Sequence, residues 1–366
     1  MHSACSRRAI LLSTGAVATG SLAGCLGDVT ESDDDTSPWN NPVTANAVSW
    51  EELGDLEGEL TIYSGRTRDQ IDPLFAQLED RYDDFSVLID QDDNDTQVNK
   101  LLEEGHTPAD IFYTQDSGAL SVVKEEDILR DLPEDLATSI TPGRTDPDGV
   151  WMGVSGRVRA ILYNTDLWDD DLPTDIMEYA YDDRFKDIIS TRPNSGSFRA
   201  FIIAMMELEG EQDTRDWVRA MVNEQHITEY SGGSDQANAV ATGGQAVALG
   251  NQYYAGRILN EDPDAPIDVA FTENDAGCLF NISGIGITQD TNNASLAAEF
   301  ARHLVAREGQ EFFVNVNGEY PVIDDIEYVG DLPAVDEINP PEFDLNQLGL
   351  ELQAAVDLLR EEGMRV

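Results

Sequence analysis

Short apolar runs alternate with amphipathic stretches from Glu59 onward, and that alternation constrains the fold more than any other feature of the chain. In "ELTIYSG" Leu60 and Ile62 alternate as in a strand, with Tyr63 beside them, and Ser64-Gly65 turns the chain. Ile71, Leu74, Phe75 and Leu78 then recur at helical spacing. "FSVLID", "ADIFYTQ", "RAILYNTDLW", "KDIIST", "AVALGNQYY" and "LFNISGIGIT" read as further strands. Between them lie the helical stretches "VNKLLEEG", ending at Gly105, "GALSVVKEEDIL" and "FRAFIIAMMELEG", closed by Gly210. A last helix covers "NASLAAEFARHLVAREGQEFFV". Strand–helix alternation of this kind predicts an α/β protein with a largely parallel sheet. No fixed-period repeat is visible, which argues against a solenoid. With 366 residues, 41% of them hydrophobic, the chain can build two lobes with a ligand between them.

Charge sets the environment and excludes partners. There are 72 acidic against 22 basic residues, a formal net charge of −50. The carboxylates are spread along the whole chain, which suggests a solvated surface adapted to concentrated salt, where repulsion is screened. A nucleic-acid partner is disfavoured because no basic face appears.

The N-terminus carries an address. "SRRAILL" is a twin-arginine start, and the apolar stretch Ala9–Ala23 ends in "SLAGC". It is too short for a membrane span of about 20 residues. Leu22-Ala23-Gly24-Cys25 resembles a lipobox, so residues 1–25 read as a lipoprotein export signal with Cys25 lipidated. The Asp-, Ser- and Pro-rich segment 26–57 reads as a flexible acidic spacer. The expected location is therefore extracytoplasmic, anchored by lipid to the outer face of the cell membrane. Beyond Cys25 only Cys278 remains, so there is no internal disulfide framework. The three downstream histidines, His106, His226 and His303, lack zinc-site spacing.

Ligands of open α/β sheets sit beyond the carboxyl ends of the strands. Four segments arrive there: "SGRTR", "YTQDSG", "PNSGS" and "GNQYY". "NSGSF" (Asn194–Phe198) lies between a strand and a helix, where backbone amides with Ser195 and Ser197 either cradle an anion or simply cap the helix. Tyr253 and Tyr254 either pack a cleft wall or chelate a hard cation, since phenolate oxygen suits ferric iron. Of the arginines, Arg66 at a strand end is the best candidate anion contact, with Arg157 and Arg159 also notable in so acidic a chain. "DQDDNDTQ" fails as a calcium loop, because Asp95 stands where glycine is needed and Leu101 where glutamate is. "GIG" at 284–286 lies in a strand and opens no phosphate loop. No Gly-x-Ser-x-Gly, paired catalytic carboxylates or Ser/His constellation is evident, and we expect no enzyme.

"LTIYSGR", "PADIFYTQDSGAL", "WMGVSGRVRAILYNTD", "PNSGSFRAFI", "GNQYYAGR", "NISGIGIT" and "EGQEFFVNVNGEYPV" occur in that order. Together they resemble the iron(III)-binding periplasmic proteins of ABC importers, from about Glu59 to Val322. The resemblance implies a two-lobe type II periplasmic-binding-protein fold, with crossing hinge strands and a cleft between lobes. It implies lobes at 58–155 plus 282–320 and at 156–281 plus 321–366. It further implies a monomer that binds ferric iron with phosphate or carbonate as synergistic anion and serves an ABC permease and its ATPase. The family's adjacent tyrosine ligands fall on Tyr253 and Tyr254, its anion turn on Ser195, Gly196 and Ser197, and an anion-contacting asparagine on Asn251. Where members place a histidine or tyrosine after the first strand this chain has Arg66 and Thr67. The family's glutamate ligand falls on Gln115, beside Asp116, and a further tyrosine on Phe198. Anion and water, with Asp116 helping, would complete the shell. The alternative is the same fold binding a small organic or inorganic anion without iron.

Overall fold

The computed structural model describes residues 48–366 except 325 and 327–331. Cys25 and the twin arginines, with the lipid anchor and export signal expected there, lie outside the described residues. Residues 48–57, placed above in the spacer, are already part of the body. Trp50 and Leu56 are buried, and the Trp50 indole N–H donates to the His303 carbonyl at 2.8 Å. The indole brings a large apolar face into the body together with its N–H.

Nine strands form the sheet among the described residues: β1 (Gly58–Ser64), β2 (Phe85–Gln91), β3 (Ile111–Thr114), β4 (Trp151–Asn164), β5 (Ile189–Thr191), β6 (Thr228–Glu229), β7 (Val247–Asn251), β8 (Ile267–Ala270) and β9 (Phe280–Ile287). Their order is β2-β1-β3-β9-β4-β7-β5-β6, with β8 also on β4. The expectation of a largely parallel sheet is corrected. β1 pairs in parallel with β2 and β3, and β5 with β6 and β7, but every pairing of β4 and β9 is antiparallel. The cause is β4. Its first part, Trp151–Val158, lies against β9, and its second, from Arg159 on, lies against β7 and β8. A single long strand thus runs from one half of the sheet into the other, with a register shift between Gly153 and Ser155. This is the two-lobe α/β architecture with crossing hinge strands.

Helices flank both halves and aim their N-termini at the strand ends. The helix Gly196–Leu208 buries Phe198, Phe201, Ile202 and Met205, as their spacing predicts, and Phe201 meets Trp217 edge-on at 5.5 Å. The final helical stretch divides into Ala294–Val305 and Arg307–Asn315, because Ala306 between them is extended. The C-terminal segment, assigned above to the second lobe, reaches both. Leu352–Glu361 packs on the helices Gly196–Leu208 and Glu211–Asn223 of that lobe. Gln347–Leu350 lies on Ser117–Glu125 of the first, where a Cβ on Gly349 would come within 2.6 Å of the Gly118 carbonyl. Glycine at both positions permits that approach.

Candidate functional site

A cleft of about 660 Å³ opens where the strand ends of both lobes meet. Gly65, Thr67, Asn94, Gln115 and Asp116 line it from the first lobe. Asn194–Ser197, Gly232–Asp235, Asn251, Tyr253 and Tyr254 line it from the second.

The tyrosines do not sit in strand β7. It ends at Asn251, and Gln252–Glu261 is a helix whose first turn carries both phenols. Adjacent strand residues would face opposite ways, whereas adjacent residues in a first helical turn are about 100° apart and can share a cavity. Their ring centroids are 4.3 Å apart. The Asn251 amide donates to Ser197 Oγ (3.2 Å) and to Tyr253 Oη (3.4 Å), tying the tyrosines to the serine turn. Gly233 makes room for the second ring, since a Cβ there would lie 2.3 Å from Tyr254 Oη.

The two phenols are electrostatically linked. Charge on Tyr253 and, next, burial push the Tyr254 phenol above its usual range, while Arg192 and Arg257 pull the other way. Two phenolates this close repel unless a cation lies between them. Among the described residues no group of three or more His, Cys, Asp or Glu side chains is placed to hold a metal.

The serine turn serves two ends. Ser195 is the N-cap: its hydroxyl accepts from the Phe198 amide (3.1 Å) and donates to the Arg192 carbonyl (2.9 Å), and its own amide donates to that carbonyl. Its hydroxyl proton and its amide are spent inside the turn, while the first-turn amides of Gly196 and Ser197 have no intrahelical acceptor.

The other expected contacts divide. Arg66 is corrected: it is fully buried, forks onto Glu319 with both distances 2.9 Å, and donates to Ser155 and Ser283 at 2.9 and 2.7 Å. It braces β1 to the crossing strands and is not a cleft group. Thr67 lines the cleft but caps the helix Arg68–Arg81 through Gln70. Asp116 caps the helix Ser117–Glu125 and accepts from Asn94. It also abuts Gly196 across the cleft, where an added Cβ would lie 2.9 Å from its carboxylate. Gln115 faces the cleft, its backbone amide held by Asn94 Oδ1 at 3.1 Å. Phe198 is buried against Phe201. Arg159 is buried with its Nη1 3.4 Å from Asn251 Oδ1. Burial lowers it to about 10 against the raising influence of Tyr253.

Sequence reasoning missed Gly232–Asp235 and Arg192, Arg199 and Arg257. The helix Gly233–Ala241 starts at the cleft behind an uncapped Gly232. "SGGSD" ahead of an apolar helix could have signalled it. Arg257 lies over the Tyr253 ring at 5.0 Å, and its place in "YYAGR", one helical turn on, was the available clue. Arg199 pairs with Asp95 at 2.8 Å, joining the lobes across the cleft.

Residues 106–344 match the family model described as bacterial extracellular solute-binding protein. The chain belongs to that family. These solute-binding proteins are binding proteins, not enzymes. Similar curated relatives include iron uptake protein A1 of Synechocystis, 26% identical over 84% of this chain and 88% of its own length. The major ferric iron-binding protein of Neisseria meningitidis is also 26% identical, over 84% of this chain and 93% of its own. Among solved structures, iron-bound HitA from Pseudomonas aeruginosa superposes with a TM-score of 0.78 at 24% identity, covering 84% of this chain and 99% of its own. A Trichodesmium FutA complex with iron and citrate gives 0.70 at 25% identity, covering 84% and 100%. Among the described residues no helix is long and apolar enough to cross a membrane.

Proposed function

We propose that this solute-binding protein captures ferric iron, with phosphate or carbonate as synergistic anion, and delivers it to an ABC permease driven by its ATPase. Tyr253 and Tyr254 are the ligands, Gly196, Ser197 and Asn251 hold the anion, and Gln115 and solvent complete the shell. The lobes, 58–155 with 282–320 and 156–281 with much of 321–366, close on the loaded ion, and the closed form docks on the permease. Cys25 carries the lipid that keeps the monomeric protein at the outer face of the membrane.

One observation carries this reading: two phenols share a cavity in one helical turn, tied through Asn251 to an anion-accepting helix N-terminus. The iron-binding names of its relatives support it. The test is a ferric titration of the protein in multimolar salt with phosphate or carbonate present. It should give a stoichiometric tyrosinate-to-iron charge-transfer band that fades in Tyr253→Phe and Tyr254→Phe. No band, and no thermal stabilisation by ferric ion, would refute the iron reading. The arginines of the cleft favour a second reading, a small anion bound without iron, for which phosphate or carbonate alone would stabilise the protein and iron would add nothing.

A further inference from the structure

The C-terminal segment is fixed to the second lobe on both sides of a short stretch that reaches the first. Upstream, the Asn339 carbonyl accepts from the Asn274 amide at 2.7 Å and from Cys278 Sγ at 3.3 Å, and Ile338 is buried with Val158 and Cys278. Downstream, Leu358 and Leu359 are buried, Arg215 pairs with Glu361 and Glu362 at 2.7 and 3.0 Å, and Arg219 holds Glu362 at 2.9 Å. Between these anchors, Asn346 and the short helix Gln347–Leu350 cross to the helix Ser117–Glu125 of the first lobe. There Ser121 Oγ lies 3.1 Å from Asn346 Oδ1, and Leu348 is buried. The helix "QLGL" carries no charge, so close packing seats it. A Cβ on Gly349 would lie 2.6 Å from the Gly118 carbonyl and 3.1 Å from Ser121 Cβ, and one on Gly118 would lie 3.1 Å from Leu348.

This seat bridges two helices that face each other over the cleft. Ser117–Glu125 starts at Asp116, and Gly196–Leu208 starts at the serine turn. In this structure those starts touch, since a Cβ on Gly196 would lie 2.9 Å from the Asp116 carboxylate, and Arg199 meets Asp95 at 2.8 Å. Gln347–Leu350 packs on both helices. Glu351 alone separates it from the helix Leu352–Glu361, so their facing ends cannot part by more than about 7 Å. A rotation that opened the cleft would therefore carry residues 346–350 off with the second lobe and unseat them from Gly118. We infer that this stretch is a latch: a finger of the second lobe that grips the first beside Gly118 and holds the lobes closed, whichever solute the cleft takes. The crossing strands set where the lobes turn, and the finger sets how far their equilibrium lies toward closure. A solute that needs both lobes then binds in proportion to the closed fraction.

The experiment reads the distance between spin labels on Glu103→Cys and Glu207→Cys, exposed positions on helices of opposite lobes, by double electron–electron resonance. The full chain is used with Cys5→Ser and Cys25→Ser, since Cys278 is buried and stays unlabelled. It is measured in multimolar salt without solute, with ferric ion and phosphate, and with phosphate alone. In Gly349→Ala the closed-to-open ratio of the solute-free protein should fall at least about tenfold, the scale of one overpacked contact. Affinity for the solute that binds the parent should fall by the same factor as the closed fraction. Asn346→Ala removes a single hydrogen bond and should move the ratio the same way by about two- to tenfold, so it tests the latch even if Gly349→Ala folds poorly. A lower thermal midpoint with the parent's distance distribution in both variants overturns the proposal, because the contact then serves stability alone. A shift toward the closed distance overturns it too, since the finger would then prop the lobes apart. If neither solute binds the parent, the solute readings fail, and the distances still decide the latch.

Discussion

Replacing Gly233 by alanine tests the tyrosine geometry without touching a donor atom. The added Cβ would lie 2.3 Å from both Cζ and Oη of Tyr254 and 2.6 Å from Cε2. Carbon contacts settle at about 3.5–4.0 Å, so the ring must give way by more than about 1 Å. Gly233 does not use a positive φ, and it opens a helix, where alanine is tolerated and gains up to about 1 kcal/mol through the unfolded state. The fold should therefore survive while the phenol is displaced. Disturbing the support of a metal ligand costs about 10–100-fold in affinity. Titration of the ferric charge-transfer band should show a loss of that size in Gly233→Ala. Gly244→Ala is the control, since its nearest neighbour would lie at 3.4 Å, an ordinary contact, and it should bind like the parent. Equal affinities and identical bands in parent and Gly233→Ala would refute the placement of Tyr254 as a ligand.

Iron loading should weaken as pH falls. The Tyr254 phenol is held protonated by Tyr253 and by burial, so loading from a ferric chelate of known proton stoichiometry should release two phenol protons per iron, and the affinity corrected for ferric hydrolysis should fall as pH drops. Loading with no phenol proton released, once the chelate's own protons are counted, excludes phenolate ligation. Glu319→Gln should destabilise the protein by about 3–5 kcal/mol in denaturant unfolding, because it strands a fully buried Arg66. The paired change Arg66→Met with Glu319→Leu should recover most of that loss, and no recovery would show that the ion pair is not the reason. With a formal charge of −50, the thermal midpoint should rise from 0.1 M to multimolar KCl as the screening length falls from about 10 Å to about 3 Å or less. A midpoint independent of salt would show that the carboxylates do not limit stability.

The strand and helix periods were legible because each is a local property. Ile71, Leu74, Phe75 and Leu78 form one buried face in the structure as their spacing requires. The antiparallel character of the sheet was not legible, because it arises from one strand. Twelve of the fourteen residues of β4 from Trp151 onward are buried without a break, so no in–out alternation marks where it leaves one lobe for the other. Trp50 was lost in a polar neighbourhood for the opposite reason: composition averages over a window, and one indole that finds the His303 carbonyl outweighs its flanks.

The arginines show where sequence reading stops. Arg66 follows the first strand directly and looked like the best cleft contact, ahead of Arg157 and Arg159. Their roles exchange because of partners remote in sequence. Glu319, 253 residues away, returns beside β1 through the hinge and takes both guanidinium ends of Arg66. Among the described residues Arg157 meets no such carboxylate, and burial inside the crossing strand leaves its Nη1 without an acceptor there. Which arginine is spent on structure and which is left for a ligand depends on how the chain closes its carboxylate pairs. In a protein with more than three acidic residues for each basic one, a buried arginine without a carboxylate partner is the exception that needs a reason. Arg157 lines the cleft, so a ligand with negative oxygens would supply that reason, and Arg157→Gln rather than a change at Arg66 is where the reading of a small anion bound without iron is tested first.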